Sequence, residues 1–410
     1  MAEAGSAGAD DVLIAGGGQV GLSLALALKL SSPDMAVTLV DAAAPGAGRA
    51  GRASTITAGG RKMLERLGVW QAIEPQAQPV TSMAITDSRT GDMARPVFLT
   101  FAMEGEDGAA SAHVVPDGAV VAALRTAAGE AGVVLIGEDA VKNFAVAPAA
   151  VTAETRKGRQ LTARLMVAAD GARSRLRDFA GIATVGWSYG QSGIVATVEH
   201  ERDHGGRAEE HFLPGGPFAI LPLKGRQASL VWTEPTEIAE RLVTGDPLVF
   251  AVELERRFGH RLGAMRAIDK PQAFPLELYV ARSFVKPRFA LVGDAAHRVH
   301  PIAGQGLNLG YRDVAALAET LVEAHRLGLD IGGLTVLDRY QSWRRFDTVE
   351  MGLMTDALNR LFSNDNPALR ILRDVGLGMV DRMPNLKGWF VHEASGAAYG
   401  APKLLTGEAI

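Results

Sequence analysis

The sequence predicts an α/β protein with a discontinuous parallel-sheet domain, a second β-rich domain and a helical C-terminal region. Three patterns predict this class. Short, wholly apolar runs, typical of parallel strands covered on both faces, recur far apart along the chain. Between them lie alternating segments punctuated by glycine and proline, which are typical of antiparallel strands. From Thr335 onwards the pattern is mostly helical.

The parallel-sheet domain begins with a β-α-β unit. Residues 12–15 and 37–40 are predicted strands, and residues 22–30 between them are a predicted buried helix. The later apolar strands are predicted at residues 133–136, 165–169 and 289–292, and the later helices at residues 61–67, 118–132 and 310–327. Because these strands are apolar throughout, we expect them to share one sheet.

The β-rich domain is predicted from the remaining segments. Residues 80–99 alternate, and residues 181–285 form strands broken by one helix near 247–262. Residues 151–164 resemble a hairpin that falls within the parallel-sheet domain. We place the domain boundaries as follows: 1–75, 111–180 and 286–330 in the parallel-sheet domain, 76–110 and 181–285 in the β-rich domain, and 331–410 in the helical region.

Composition narrows the classes of function. The 410 residues carry a net charge of -4 and a pI near 6.2, which argues against a nucleic-acid partner. With no cysteine, disulfides, thiolate catalysis and Cys-ligated metals are excluded. Neither a signal peptide nor an apolar run of about 18 residues is found. We therefore expect a cytoplasmic protein.

Gly16, Gly18 and Gly21 form the pattern G-x-G-x-x-G between the first strand and the first helix. The first glycine permits a tight turn, the second permits close approach of a pyrophosphate, and the third permits close helix packing. Asp41 ends the second strand, where a carboxylate can accept hydrogen bonds from an adenosine ribose. The motif alone does not separate FAD from NAD.

Two further motifs each follow a predicted buried strand. Asp170–Gly171 ends the strand near residue 165. The second motif contains Gly293-Asp294-Ala295-Ala296-His297, Pro301, Gly304-Gln305-Gly306, Asn308 and Asp313. Together with the first glycine motif, these segments resemble the class A flavoprotein monooxygenases, the family that includes para-hydroxybenzoate hydroxylase. The resemblance implies a Rossmann-type FAD-binding domain and a β-rich substrate domain.

The resemblance also implies a set of cofactor contacts. The loop at 304–306 opens a helix, so its N–H groups can face the flavin. Near Asp117 one family arginine is missing, because Gly118 stands in its place. The predicted FAD-binding residues are Gly16, Gly18, Gly21, Asp41, Arg52, Asp170, Asp294, Pro301, Gly304, Gln305, Gly306, Leu307 and Asn308.

Residues 211–223, 355–363 and 386–396 are similar to the ubiquinone-biosynthesis hydroxylases. This branch implies a prenylated phenol as substrate, at most peripheral contact with the inner face of the membrane, and other ubiquinone-biosynthesis proteins as candidate partners. We predict that Pro217 and Phe218 lie above the flavin ring. The apolar strand at 218–223 is a candidate lining for the prenyl tunnel.

The implied reaction makes the protein an oxidoreductase and a monooxygenase. NAD(P)H, a transient reductant, reduces FAD, and O2 then forms a C4a-hydroperoxyflavin that transfers one oxygen atom to the ring. No side-chain acid or base is identifiable from the sequence, and the flavin-loop residues Pro301, Gly304, Gln305 and Gly306 are the catalytic candidates. Arg173 and Arg175 fit either a nicotinamide phosphate site or a solvated basic turn.

Other interpretations stay open at this point. The protein could hydroxylate another small aromatic compound, act as a flavin-linked reductase, or keep FAD in a non-catalytic scaffold. The histidines at 297 and 300, and those at 200, 204 and 211, do not have the arrangement of a metal site, so we expect no metal. Residues 199–210 are rich in charge and are predicted to form a solvated loop.

Overall fold

The structure, a computed structural model, describes residues 10–44, 51–87, 97–103, 108, 110–362 and 400–410. Its strands are β1 (Asp10–Ala15), β2 (Val37–Val40), β3 (Ala53–Thr57), β4 (Gln78–Pro79), β5 (Ser82–Asp87), β6 (Val97–Ala102), β7 (Ala112–Pro116), β8 (Val134–Ile136), β9 (Val141–Val146), β10 (Val151–Thr155), β11 (Gln160–Ala168), β12 (Thr184–His200), β13 (Arg207–Leu213), β14 (Gly216–Leu223), β15 (Gln227–Pro235), β16 (Met265–Ala267), β17 (Gln272–Ala281), β18 (Val285–Lys286), β19 (Phe289–Leu291) and β20 (His297–Arg298). Its α-helices are α1 (Gln19–Ser31), α2 (Ala58–Arg66), α3 (Trp70–Ile73), α4 (Asp117–Glu130), α5 (Arg175–Phe179), α6 (Thr236–Thr244), α7 (Pro247–Phe258), α8 (Gln305–Arg326), α9 (Leu334–Phe362) and α10 (Lys403–Thr406).

The first sheet is the predicted parallel sheet. Strands β19, β11, β1, β2 and β8 lie side by side in that order and run parallel. These are the five strands that the sequence predicts for one sheet, so that prediction is confirmed. Beside it, helix α1 packs against both α4 and α8, and α8 is buried along most of its length.

The second sheet is mostly antiparallel and follows the order β20-β17-β12-β15-β14-β13-β5-β6. Helices α6 and α7 cover one of its faces, which we call the helix face. There Trp232 packs against Phe218 and against Phe250 of α7. A small third sheet has the strand order β3-β7-β4. The α/β class with a β-rich second sheet is thus confirmed, whereas the exact domain boundaries stay a prediction.

Residues 199–210 are not the predicted solvated loop. The segment ends β12 at His200 and enters β13 at Arg207, and four of its side chains (His200, His204, Glu209 and Glu210) are buried. His204 is accommodated because its Nε2 lies 2.8 Å from the Leu223 carbonyl oxygen and its Nδ1 accepts from Gly206 N–H at 2.9 Å. Residues 201–203 at the turn are exposed, whereas Glu209 and Glu210 of β13 point into the fold.

Two other details differ from the sequence prediction. Helix α6 was missed, and the helix predicted to reach residue 262 ends at Phe258, because Gly259 leaves helical geometry with a φ of 74°. The tail motif at 386–396 lies outside the described residues. Within the described ranges, no helix is both long and apolar enough to cross a membrane.

A buried carboxylate connects the end of the parallel sheet to two long helices. Asp313 of α8 accepts hydrogen bonds from Gly293 N–H at 2.9 Å, His297 Nε2 at 2.6 Å and Arg344 Nε of α9 at 2.8 Å. Burial alone would raise the pKa of Asp313, but the adjacent His297 and Arg344 outweigh it and lower that pKa. Asp313 is therefore a charged acceptor that fixes three segments relative to one another.

We expect Asp313→Ala to lower the free energy of unfolding by about 3–5 kcal/mol, because buried Arg344 would keep only Asp347 as a carboxylate partner and His297 would lose its acceptor. Denaturant unfolding of the FAD-loaded protein measures this. The control is Glu199→Ala, which removes an exposed pair with Arg266 and should cost no more than about 1 kcal/mol. Equal losses of unfolding free energy in the two variants would contradict this role of Asp313.

Candidate active site

The first two sequence motifs meet at the carboxyl end of the parallel sheet. Gly16 has a φ of 119°, and a Cβ built there would lie 2.2 Å from the Ala169 carbonyl oxygen, directly before Asp170. A Cβ on Gly21 would lie 2.0 Å from the Gly16 carbonyl oxygen. The first and third glycines thus have the roles predicted for them, a tight turn and close helix packing.

The third motif packs on the same helix start. A Cβ on Gly310 would lie 2.7 Å from a methyl group of Val20, and one on Gly293 would lie 3.2 Å from the same side chain. Asp294 follows at the end of β19 with its side chain exposed, while its carbonyl accepts from the Tyr279 hydroxyl at 2.5 Å. All three motifs therefore surround the N-terminus of α1.

Gly18 differs from its neighbours in the motif because a Cβ there would meet no atom within 4 Å. It is the N-cap of α1, and no side chain caps that helix end. Open space over uncapped N–H groups is the environment that a pyrophosphate requires. The residues present therefore fit a dinucleotide.

Asp41 also lies beside this turn, since a Cβ on Gly17 would be 2.3 Å from its Oδ2. The same oxygen accepts from Arg125 of α4 at 2.8 Å, and Ala43 N–H donates to Oδ1 at 3.3 Å. Arg125 holds the carboxylate in place next to the expected ribose. The sequence did not identify Arg125, because no local pattern links positions on different elements.

The flavin loop, residues 301–308, leads into α8. Gly304 adopts a φ of 65° at the N-cap of α8 and lies against Thr55 of β3, while a Cβ on Gly306 would meet nothing within 4 Å. Gln305 is buried, whereas Pro301 and Leu307 are half-buried. The open position and the uncapped helix end leave N–H groups available to an electron-rich ring.

The side chain of Asn308 ties the flavin loop to β3, and a contact of its backbone with FAD stays a prediction. Its Nδ2 donates to the Thr55 carbonyl at 2.9 Å and to the Gly304 carbonyl at 3.2 Å. Its Oδ1 accepts from the N–H and the hydroxyl of Thr57, both at 3.1 Å. Because these bonds use the capacity of the amide, its side chain positions the flavin loop on β3 and does not bond FAD.

Arg52 and Asp170 lie on opposite sides of this region. The Arg52 guanidinium is 3.8 Å from Asp117 and stacks over Phe274 of β17 at 5.5 Å, and it keeps 37% of its side chain exposed. Asp170 accepts from Leu176 N–H at 3.5 Å at the start of α5, and burial raises its pKa. Arg52 thus remains accessible to a ligand, whereas Asp170 orients the turn.

The face of the second sheet opposite α6 and α7 meets the flavin loop, and we call it the site face. There Phe212 of β13 packs against Ile302 of the flavin loop. Ile85 of β5 and Leu358 and Leu361 of α9 border this contact. The second sheet, the flavin loop and α9 therefore share an apolar wall, which borders the expected ring-binding region.

Phe218 does not lie above the flavin ring as predicted. Its side chain is fully buried on the helix face, 6.0 Å from Trp232, and Ile220 of the same strand shares that core. Leu221 and Leu223 pack in a separate core on the site face. The strand at 218–223 thus fills two cores, and its role in a prenyl tunnel stays a prediction, as does that of Pro217, opposite Phe212 in the ladder.

A cleft of about 500 Å³ opens at the end of the second sheet, near the last turns of α9. Its lining includes Tyr189, Gln191 and Asn359. The Tyr189 ring contacts His300 edge-on, with centroids 5.1 Å apart. His300 is fully buried, its ring nitrogens have no hydrogen-bond partner among the described residues, and burial lowers its pKa to about 4.

The histidines do not assemble a metal centre in the part of the chain that the structure describes. His297 is engaged by Asp313, and His300 lies against Tyr189. His211 lies 2.8 Å from the Thr86 hydroxyl on the helix face.

Comparison with known proteins identifies the family. The FAD binding domain family matches residues 9–348. Ubiquinone hydroxylase UbiL of Rhodospirillum rubrum is 42% identical over 407 residues, covering 96% of this chain and 91% of that protein. The chain belongs to the FAD-dependent ubiquinone-biosynthesis hydroxylases. The predicted FAD cofactor and aromatic hydroxylase class are thereby confirmed.

Further comparisons agree with this assignment. The 3-demethoxyubiquinol 3-hydroxylase of Escherichia coli is 34% identical to this chain over 395 residues, covering 92% of this chain and 96% of that protein. The crystal structure of p-nitrophenol 4-monooxygenase PnpA from Pseudomonas putida superposes with a TM-score of 0.80 at 21% identity, covering 95% and 99% of the two chains. This likeness confirms the fold expected from the resemblance.

We expect Gly18→Ala to weaken FAD binding by about tenfold or more, about 1.4 kcal/mol, with little effect on the apoprotein, because only the ligand occupies the space over Gly18. Gly21→Ala should instead destabilise the apoprotein, because its new methyl meets the Gly16 carbonyl. Fluorescence titration of apoprotein with FAD and thermal unfolding measure the two effects. Gly129→Ala, inside α4, is the control, and it should neither weaken FAD binding nor destabilise the apoprotein.

The hydroxylase should lose stability below about pH 6.5, partly through His300. Burial favours the neutral form of His300 in the folded state. Below a pH of about 6.5 the unfolded state therefore binds a proton that the folded state does not, and folding stability is lost progressively as the pH falls towards 4. Between about pH 7 and 5, His300→Phe should reduce this loss by about 2 kcal/mol relative to wild type. Denaturant unfolding at both pH values is the measurement, and parallel losses would show that His300 does not contribute.

Proposed function

We propose that this hydroxylase transfers one oxygen atom from O2 to the ring of a prenylated phenol, with NAD(P)H as the reductant. The observation that carries the proposal is the contact of Phe212 with Ile302, which places an apolar wall directly on the flavin loop. The relatives, a ubiquinone hydroxylase and a 3-demethoxyubiquinol 3-hydroxylase by name, support this substrate class.

The cofactor would be held by the three motifs around α1. The backbone at Gly16, Gly18 and Gly21 would receive the pyrophosphate, and Asp41, held by Arg125, would accept from the adenosine ribose. Asp294 is exposed where the ribityl chain would pass. Bound FAD supplies the electron transfer from NAD(P)H and the activation of oxygen.

The residues of the chain itself position the ring and limit access of water. Gly304, Gln305 and Gly306 would direct N–H groups at the flavin, with Asn308 fixing the loop against β3. Ile302, Phe212 and Leu358 would exclude water from the reacting ring. Arg173 and Arg175 are exposed at the start of α5, which fits either transient docking of a nicotinamide phosphate or a solvated turn.

The location and partners of the enzyme belong to the same proposal. A substrate with a prenyl tail partitions into the lipid bilayer, so we place the enzyme in the cytoplasm with peripheral contact at the inner face of the membrane. Other proteins of ubiquinone biosynthesis are the partners expected there.

The direct test is turnover of FAD-loaded protein under oxygen-18 gas with NADH or NADPH and a synthetic prenylated phenol. Mass spectrometry should find one labelled oxygen in the phenol. One NAD(P)H should be oxidised for each product formed. The same phenol without its prenyl chain is the matched control and should be hydroxylated more slowly, because it forgoes the burial of apolar surface.

Two results would contradict the proposal. Efficient labelling of the unprenylated phenol but not of the prenylated one would assign a different aromatic substrate. NAD(P)H oxidation that reduces an artificial electron acceptor without labelling any phenol would make the protein a reductase.

A further inference from the structure

Glu210 lies in the middle of β13 on the site face. Successive side chains of a strand point to opposite faces, and Glu210 comes between Ala208 and Phe212, which both pack on the site face. In the ladder it stands opposite Ala219 of β14 and Ile85 of β5. Its carboxyl is therefore about 7 Å along the strand from the Phe212 contact with the flavin loop.

The surroundings of this carboxyl are apolar and contain no counter-ion. Glu210 is 4% exposed. The side chains around it on the site face carry no charge: Met83, Ile85, Ala208, Phe212, Ala219 and Leu221. Burial raises the pKa of Glu210 to about 8, and no charged or hydrogen-bonding group of the described chain opposes that effect.

The adjacent glutamate shows what a structural carboxylate looks like in the same strand. Glu209 points to the helix face, where it lies 3.2 Å from Arg207 and 3.2 Å from His211 and also pairs with Arg261. These partners outweigh the effect of burial and lower the pKa of Glu209. Glu210 has the same burial without those compensations, which is a destabilising arrangement that a purely structural role does not explain.

We propose that Glu210 is a catalytic residue of the hydroxylation, whose carboxylate accepts the phenolic proton of the substrate bound between the site face and the flavin loop. This assignment rests on the proposed function. In the step, the phenol O–H bond breaks and a Glu210 Oε–H bond forms. The electron pair left on the phenol oxygen enters the ring and raises the nucleophilicity of the carbon that takes oxygen.

The chemistry matches the environment. A carboxylate with an ordinary pKa is a weak base towards a phenol, whose pKa is about 10. An apolar environment brings the two pKa values closer, and a base is most effective when its pKa lies near the working pH. The same apolar wall excludes water that would otherwise compete for the proton. An aromatic ring and one polar group are also the lining that a phenol-binding pocket requires.

The test separates flavin reduction from oxygen transfer in the FAD-loaded enzyme. Glu210→Gln keeps the shape of the side chain and removes its basicity. We expect the rate of flavin reduction by NAD(P)H to stay within about twofold of wild type, while hydroxylated phenol falls by about 100-fold and hydrogen peroxide accounts for the oxygen consumed. Glu210→Asp retains a carboxylate and should recover part of the product.

The pH profile gives a readout that a structural role would not move. In the wild type, product formed per NAD(P)H should rise through about pH 8 to a plateau, and this limb should be missing in Glu210→Gln. Glu209→Gln is the matched control: it removes a buried carboxylate from the same strand and should keep the wild-type profile, measured per bound FAD.

The outcomes are distinct. Wild-type yield and an unchanged pH profile in Glu210→Gln would overturn the assignment while leaving the proposed function intact. If Glu210→Gln does not retain FAD, the pH profile of the wild type tests the assignment alone. A product yield per NAD(P)H that is flat between about pH 6 and 9.5 would overturn the assignment. If the wild type hydroxylates no phenol, the proposed function fails and this assignment fails with it.

Discussion

The position of the flavin loop depends on one buried carboxylate, Asp313. It ties the end of β19 to α8 through Gly293 and His297, and ties α8 to α9 through Arg344. A carboxylate shielded from water can hold three donors at once. Arg344 extends the network through a second bond, to Asp347. Because α8 begins with the flavin loop and α9 borders the contact of Phe212 with Ile302, the same interaction fixes these two parts of the candidate site relative to each other.

Local rules explain why so much of the cofactor site could be predicted. The roles of Gly16 and Gly21 follow from backbone geometry within a few residues, and apolar runs such as 37–40 show a covered parallel strand directly. The contact of Asp41 with Arg125 could not be found this way, because it joins a strand end to a separate helix. Asn308 was assigned to FAD for a similar reason: its partners on β3 are about 250 positions away in the chain.

The substrate side was harder to predict because β14 is buried on both faces. An alternating pattern reveals which side chains face a core, but a strand that is apolar throughout gives no such signal, so Phe218 was placed on the wrong face. The neighbouring charged run, residues 199–210, was predicted to be solvated, although part of it is buried. Glu209 and His204 are internal because they find partners in the fold, and charge alone does not distinguish a paired interior group from a solvated one.

The contact of Phe212 with Ile302 has an evolutionary consequence. Ile302, one member of the apolar wall, belongs to the flavin loop, so a substitution there that would admit a different ring would also change the support of the flavin. Leu358 and Leu361 approach the same wall from α9 and have no role in the dinucleotide motifs. Changes in substrate preference within such a scaffold should therefore accumulate at the end of α9, where selection for a new ring does not conflict with selection for the cofactor.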